Sequence, residues 1–173
     1  MVVVGEASTD GTSVYLAGLR DPRVRVLRHR APLGLARARN AASADAGGDV
    51  VAFLDDDDLW FPDKLQRQLD AMAEAGAEWA YGAAIIFSAG PRLESVLAPA
   101  APRHAMTRLP YGNVVSAGAM NVAVTRAALE RVGRFALNLP SIVDWDLWIR
   151  LSRLGPPAVT GAIATATGGT VAT

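Results

Sequence analysis

The sequence predicts an α/β fold in which a mostly parallel sheet is flanked by helices. Two observations carry this. Short runs of β-favouring apolar residues alternate with segments of helical periodicity, the pattern of βαβ units. One such run, Val50 to Leu54, reads as a strand buried on both faces and stops at four consecutive aspartates, Asp55 to Asp58. In open α/β sheets, ligands bind in the crevice outside the carboxyl ends of the strands, so these carboxylates stand where a ligand is expected.

The elements follow in order. Val2 to Val4 is a first strand; the Asp10-Gly11 turn leads into a helix through Val14, Leu16 and Leu19 that stops before Asp21-Pro22; Val24 to Leu27 is a second strand. Gly34 to Ala46 places Leu35, Ala38, Ala42 and Ala46 at near-helical spacing and ends at Gly47-Gly48, a helix stop. After the aspartates, Pro62 fits the first turn of a helix with Leu65, Leu69 and Met72 on one face, closed by Gly76. Trp79 to Phe87 is a further strand. Ser88 to Tyr111, proline-rich with little periodicity, reads as a long connection. Asn121 to Val124 is a short strand, Thr125 can cap a helix through Leu129 and Val132, and Asp144 to Leu154 is helical, with Trp145, Trp148 and Leu151 as its apolar stripe. Residues 155–173, rich in small residues, read as a low-complexity tail beyond a domain spanning 1–154.

A chain of 173 residues with 51% hydrophobic content has the composition of one ordinary globular domain. Seventeen basic residues balance seventeen acidic ones, so no global field draws in nucleic acid or an anionic membrane. The absence of cysteine removes disulfides and thiolate metal sites. No apolar run reaches the length of a membrane span, and the opening MVVVGEAST is too short for a signal peptide. The cytoplasm is the default compartment, with peripheral membrane attachment open.

Four adjacent carboxylates repel one another, and a cation is their natural partner. Hard oxygen ligands select Mg²⁺, Mn²⁺ or Ca²⁺, and Mg²⁺ is usually held by one or two carboxylates plus substrate phosphates. The alternative is a solvated acidic turn that caps the next helix.

Three motifs, EASTDGT at Glu6 to Thr12, GLARARN at Gly34 to Asn40 and FLDDDDLWFPDKL at Phe53 to Leu65, occur in one order. Together they closely resemble the nucleotide-sugar half of family 2 glycosyltransferases, which have the Rossmann-like GT-A fold. VDWDLWIRL at Val143 to Leu151 resembles the family's downstream acceptor-side motif, and the resemblance covers Val2 to Leu154. It implies a nucleotide-diphosphate sugar donor, a saccharide, lipid-linked or protein acceptor, and Mg²⁺ or Mn²⁺ as cofactor. Asp55 would lie near ribose and metal, Asp56 on the nucleotide sugar, and Asp57 on the cation. Glu6 would meet the nucleotide base, with Arg39 and Asn40 near the nucleotide or, alternatively, at an exposed helix end. Asp144 matches the catalytic base, which takes the proton from an acceptor hydroxyl as it attacks the anomeric carbon with inversion. Its alternative reading is a helix N-cap.

The same resemblance makes Gly112, Gly118 and Asn121 candidates for shaping the acceptor pocket. Trp60, Trp145 and Trp148 are either sugar-stacking or core residues, and His29 and His104 have no partner pattern. The family's opening strand has no counterpart here, nor has its late metal ligand, and Gly5 and Val143 stand where the family carries acids. A domain truncated at both ends is therefore expected. Two other readings compete: a nucleotide- and metal-binding remnant without turnover, and a haloacid dehalogenase-type phosphohydrolase, for which Lys64 is the single lysine available.

Overall fold

The computed structural model describes residues 1–87, 93–139 and 141–168. Among the described residues, eight strands and six helices fall in chain order as β1 (Val2–Glu6), α1 (Thr12–Gly18), β2 (Arg25–His29), α2 (Leu35–Asp45), β3 (Val50–Ala52), β4 (Leu59–Trp60), α3 (Lys64–Ala75), β5 (Trp79–Phe87), β6 (Leu93–Leu97), α4 (Pro102–Arg108), β7 (Ala123–Thr125), α5 (Arg126–Arg131), α6 (Val143–Ser152) and β8 (Ala158–Gly168). A 3₁₀ turn, Gly118–Asn121, precedes β7.

The strands form two sheets. β1 and β2 pair in parallel by themselves, and the larger sheet runs β3-β7-β5-β8-β4, with β6 added on β5. β1 pairs only with β2 and β3 only with β7, so each presents one unpaired long edge among the described residues.

Several expectations change in detail. The α/β class holds, but the pairing is mixed: β1–β2 and β5–β8 are parallel, while β3–β7, β4–β8, β5–β6 and β5–β7 are antiparallel. The strand before the aspartates is short, ending at Ala52, although Phe53 beyond it is buried. The long connection carries β6 and α4, with Pro102 in the first turn of α4, where its missing N–H costs nothing. Residues 88–92 of that connection lie outside the described residues.

The stretch read as a low-complexity tail contributes β8, which lies between β5 and β4 within the sheet. Its Ala, Gly and Thr side chains gave no apolar signal because the space is tight. A Cβ on Gly82 of β5 would come within 2.6 Å of Thr160 Oγ1 and 3.0 Å of Ala164 Cβ. Small residues are what that packing admits.

α3 turns a different face inward from the one its leucines suggested. Leu65 and Leu69 are 38% and 40% exposed, whereas Lys64, Gln68 and Met72, one i, i+4 stripe along, are buried. The polar members are satisfied: Lys64 Nζ donates to Gln68 Oε1 at 2.7 Å and lies 4.5 Å above the Trp60 ring. Gln68 Nε2 donates to the Asn121 carbonyl at 2.6 Å. Asn121 in turn pairs with Gly82, accepting from its N–H at 3.1 Å and donating to its carbonyl at 2.8 Å. α3 and β5 thereby grip the 3₁₀ turn, and Trp60 Nε1 adds a hydrogen bond to the Met120 carbonyl at 2.9 Å.

The core on the other side holds α6. Trp148 stacks on Trp79 with centroids 6.2 Å apart, joined by Leu147 and Leu151. Thr125 caps α5 as expected, its hydroxyl accepting from Ala128 N–H at 3.2 Å. Gly76, at φ +60, closes α3 in the left-handed region. Among the described residues no helix is long and apolar enough to cross a membrane.

Burial pushes Lys64 down to about 7, well below its ordinary 10.5. Between those values the unfolded chain holds the proton that the folded chain releases, so stability rises with pH across that window, by at most about 1.4 kcal/mol per unit. Urea unfolding midpoints measured from pH 7 to 10 should climb, and Lys64→Met should flatten the climb.

Candidate active site

Asp144 sits in the first turn of α6, two residues beyond Ile142, whose φ of +56° marks the left-handed entry to the helix. Its carboxylate does not cap that helix. Oδ2 accepts from Ala119 N–H in the 3₁₀ turn at 2.9 Å, and Oδ1 accepts from Arg39 Nη1 at 2.7 Å. Gly118 is required beside it, because a Cβ there would lie 2.8 Å from Asp144 Oδ2, on a backbone already at φ +59. Burial pushes the Asp144 carboxyl above its ordinary range, against the opposing pull of Arg39 and Ala119. A carboxylate raised in this way is a better proton acceptor.

Arg39 is the centre of the arrangement. It is 6% exposed, and its other terminal nitrogen, Nη2, donates to both oxygens of Asp55, at 3.0 and 2.7 Å. The expectation of an exposed helix end is corrected: one buried guanidinium joins the first aspartate of the run to Asp144. The neighbouring residue supports it. Asn40 accepts from Phe135 N–H at 2.9 Å and donates to the Phe135 carbonyl at 2.8 Å, which fixes the ring that lies 5.4 Å from the Arg39 guanidinium. Phe53 meets that ring edge-on with centroids 5.1 Å apart. Asn40, expected near the nucleotide, thus has its amide engaged in holding Phe135.

The other aspartates diverge. Asp56 and Asp57 are exposed and take no hydrogen bond or ion pair among the described residues. Asp58 is pushed up by burial, opposed by a hydrogen bond from Thr167 of β8 and reinforced by the charges of Asp57 and Asp55. The loop therefore carries uncompensated negative charge on its outer side. Among the described residues no group of three or more His, Asp or Glu side chains is disposed to hold a metal. The exposed carboxylates of Asp56 and Asp57 are hard oxygen donors, the kind that Mg²⁺ or Mn²⁺ takes.

Glu6 ends β1 with its carboxylate engaged. Oε2 accepts from the N–H groups of Leu33 and Gly34 at 2.8 and 2.9 Å, and Oε1 meets His29 Nδ1. Burial raises this carboxyl, but the bonds from His29, Leu33 and Gly34 outweigh it and leave it below the ordinary value. His29, given no role from the sequence, is the partner that β1–β2 pairing sets directly opposite Glu6.

The tryptophans separate by burial. Trp148 is core; Trp60 faces Lys64; Trp145 lines a pocket of about 540 Å³ whose wall also includes Asp144, Arg37 and several aliphatic residues. Its Nε1 donates to the Leu109 carbonyl at 2.7 Å. Asn113 also lines the pocket, whereas Asn121 is wholly buried. Every non-glycine residue at positive φ among those described adjoins a site residue: Ala7 follows Glu6, Ala117 precedes Gly118, Arg134 precedes Phe135, and Ile142 precedes the Asp144 helix turn. Backbone strain clusters at functional sites.

The profile of Glycosyl transferase family 2 matches residues 1–133. The chain belongs to glycosyl transferase family 2. It is 32% identical over 90% of its length to TuaG of Bacillus subtilis, a glycosyltransferase ascribed to teichuronic acid biosynthesis, and covers 61% of that protein. It is 26% identical over 87% of its length to WfgD of Escherichia coli, named a UDP-Glc:alpha-D-GlcNAc-diphosphoundecaprenol beta-1,3-glucosyltransferase, and covers 57% of it. The structure of S. aureus TarS 1–349 in complex with UDP-GlcNAc superimposes with a TM-score of 0.72 at 18% identity, over 99% of this chain and 50% of that TarS 1–349 chain. That likeness shows the GT-A fold. The family 2 chain spans less than two thirds of each of these relatives.

Removing the guanidinium leaves two carboxylates facing one another without compensation. Arg39→Met should cost about 2–3 kcal/mol in denaturant unfolding, less than the roughly 3–5 kcal/mol of a fully buried broken pair because Asp55 is a third exposed.

Proposed function

We propose that this glycosyltransferase moves a sugar from a nucleotide-diphosphate donor to an acceptor hydroxyl with inversion, assisted by Mg²⁺ or Mn²⁺. The observation that carries the reading is the join made by Arg39, which holds the aspartate loop and a raised, partly buried carboxylate in one site. The donor half draws support from TarS, whose solved complexes include UDP and UDP-GlcNAc.

Asp144 takes the proton from the acceptor hydroxyl as its oxygen attacks the anomeric carbon from the face opposite the leaving diphosphate. Asp57 and Asp55 would hold the cation, which neutralises charge on the departing phosphates when bound. Ala119 N–H and Arg39 orient the Asp144 carboxylate, and Gly118 leaves room for it. Asp56 faces solvent beside Asp57 and is open to a donor hydroxyl. Glu6 contributes indirectly, through the Leu33–Gly34 backbone.

The phosphohydrolase reading loses its lysine, since Lys64 is buried against Trp60 and Gln68. A binding remnant without turnover remains the second reading, favoured by the unpaired edges of β1 and β3.

Calorimetry with UDP should show binding that strengthens with Mn²⁺, and Asp57→Ala should remove the Mn²⁺ dependence. Asp144→Asn should leave that binding within about threefold and lower transfer roughly 10²–10⁴-fold. Equal loss of binding in both variants would contradict the roles. Nucleotide binding by the wild-type chain without transfer or donor hydrolysis would favour the remnant. Transfer should fall on the acid side as Asp144 takes up a proton, at a pH above the ordinary carboxylate range.

A further inference from the structure

The 3₁₀ turn that presents Ala119 N–H to Asp144 is held in an uncommon backbone by a buried polar chain that packing alone does not require. Ala117 and Gly118 are both left-handed, each at φ +59, and the alanine adopts that region without the freedom of a glycine. Such a conformation persists only where its surroundings over-determine it. Asn121 supplies one restraint: Nδ2 donates to the Ser116 carbonyl at 3.1 Å, on the far side of the left-handed pair, as well as to the Gly82 carbonyl. Trp60 supplies a second at the Met120 carbonyl, and Gln68 a third at the Asn121 carbonyl.

Gln68 and Lys64 are both buried, and Lys64 has no acidic partner among the described residues. Replacing two such partners by apolar groups of the same shape can be nearly neutral or stabilising, so the fold does not need them for its packing. The pair does one thing that apolar residues cannot. An ammonium only donates, so Lys64 fixes Gln68 Oε1 toward itself and leaves the Nε2 donor facing the Asn121 carbonyl. A chain of contacts then runs from Lys64 through Gln68 and the turn to Ala119 N–H, 2.9 Å from Asp144 Oδ2.

We propose that Gln68, oriented by Lys64, is a positioning residue for the Asp144 base: it holds the 3₁₀ turn so that Ala119 N–H stays on the carboxylate. This rests on the transferase reading, in which Asp144 accepts the proton. The Ala119 bond favours the ionised carboxylate against the burial that disfavours it, so a slackened turn lets Asp144 keep its proton to higher pH. The charged groups around that carboxylate are Arg39 from α2, Asp55 from the aspartate loop and Arg37 in the pocket wall. On α6 itself, Asp146 is paired with Arg150. None of these touches Lys64 or Gln68 among the described contacts, so a change at those two positions reaches Asp144 through the turn.

The test reads Asp144 directly, by carbon-13 NMR titration of the aspartate carboxyls in the whole chain, with Asp144→Asn to assign its resonance and UDP with Mn²⁺ titrated on the same preparation. In the wild-type chain the Ala119 amide proton shift should follow the Asp144 titration. The double variant Lys64→Met with Gln68→Met removes both polar members of α3 at similar volume, which keeps a folded chain to measure. Its Asp144 midpoint should move upward by about one pH unit, the worth of a hydrogen bond to a charged group, and the Ala119 amide should cease to follow it. Lys64→Met alone keeps the Gln68 donor but frees its orientation, and should move the midpoint in the same direction by less. UDP–Mn²⁺ affinity should stay within about threefold in both, since the turn acts on the proton acceptor and not on donor binding. Met72→Ala, next along the buried stripe, should lower the melting temperature without moving the midpoint. An unmoved midpoint in either folded Lys64 variant, with Ala119 still following Asp144, would overturn the positioning role. An equal shift in Met72→Ala would overturn it too, because the effect would then be general loosening. A wild-type chain that shows the Ala119 response yet binds no UDP with Mn²⁺ would instead overturn the transferase reading beneath the proposal.

Discussion

A single buried guanidinium sets the geometry of this site. Arg39 gives one terminal nitrogen to Asp55 and the other to Asp144, so the end of the β3 segment and the start of α6 are held at a fixed separation. Neither carboxylate could approach the other in a partly desolvated space without that charge between them. The planar fork suits the task, since two nitrogens can serve two acceptors at once in a way a lysine ammonium on a flexible stem does not reproduce. Phe135 lies against the guanidinium, and Asn40, the next residue on α2, holds Phe135 by both its backbone groups.

The rest of the fold brings the partners to Arg39. α6 is fixed from behind by Trp148 stacked on Trp79, which sets Asp144 at the front. The 3₁₀ turn that gives Asp144 its second hydrogen bond is gripped by Gln68 and by the pairing of Asn121 with Gly82. Trp60, just beyond the aspartates, holds the same turn through the Met120 carbonyl. The aspartate loop and the Asp144 seat therefore share supports on α3, β4 and β5, and displacement of one disturbs the other. The divided sheet leaves β1 and β2 outside this unit, although Glu6 still shapes the site through the Leu33–Gly34 backbone.

The sequence revealed features with a local signature. Apolar runs, glycine stops, the Thr125 cap and the Asp55–Asp58 run on the approach to β4 were all legible, because each depends on neighbours in the chain. What it hid depends on partners far away. The leucines named as one face of α3 gave no hint that Lys64 and Gln68 are the buried side, because Asn121, 53 residues beyond Gln68, supplies the buried acceptor. β8 read as tail because alanine, glycine and threonine carry little hydrophobic signal, yet only such residues fit beside Gly82. Asp144 was legible as a carboxylate at a helix start, the same position an N-cap occupies. Only Arg39, 105 residues away, and Ala119 show where its oxygens are spent.

The central claim is that Arg39 couples Asp55 to Asp144, and a double-mutant cycle tests it most directly. Unfolding free energies would be measured for Asp55→Asn, Asp144→Asn and the double variant, first with Arg39 present and then in an Arg39→Met background. The account predicts non-additivity of about 0.5–3 kcal/mol with Arg39 in place, and in the Arg39→Met background a smaller coupling that only the direct repulsion of the two carboxylates supplies. Additive effects with Arg39 intact would contradict it, and the two carboxylates would then have to be treated as independent sites.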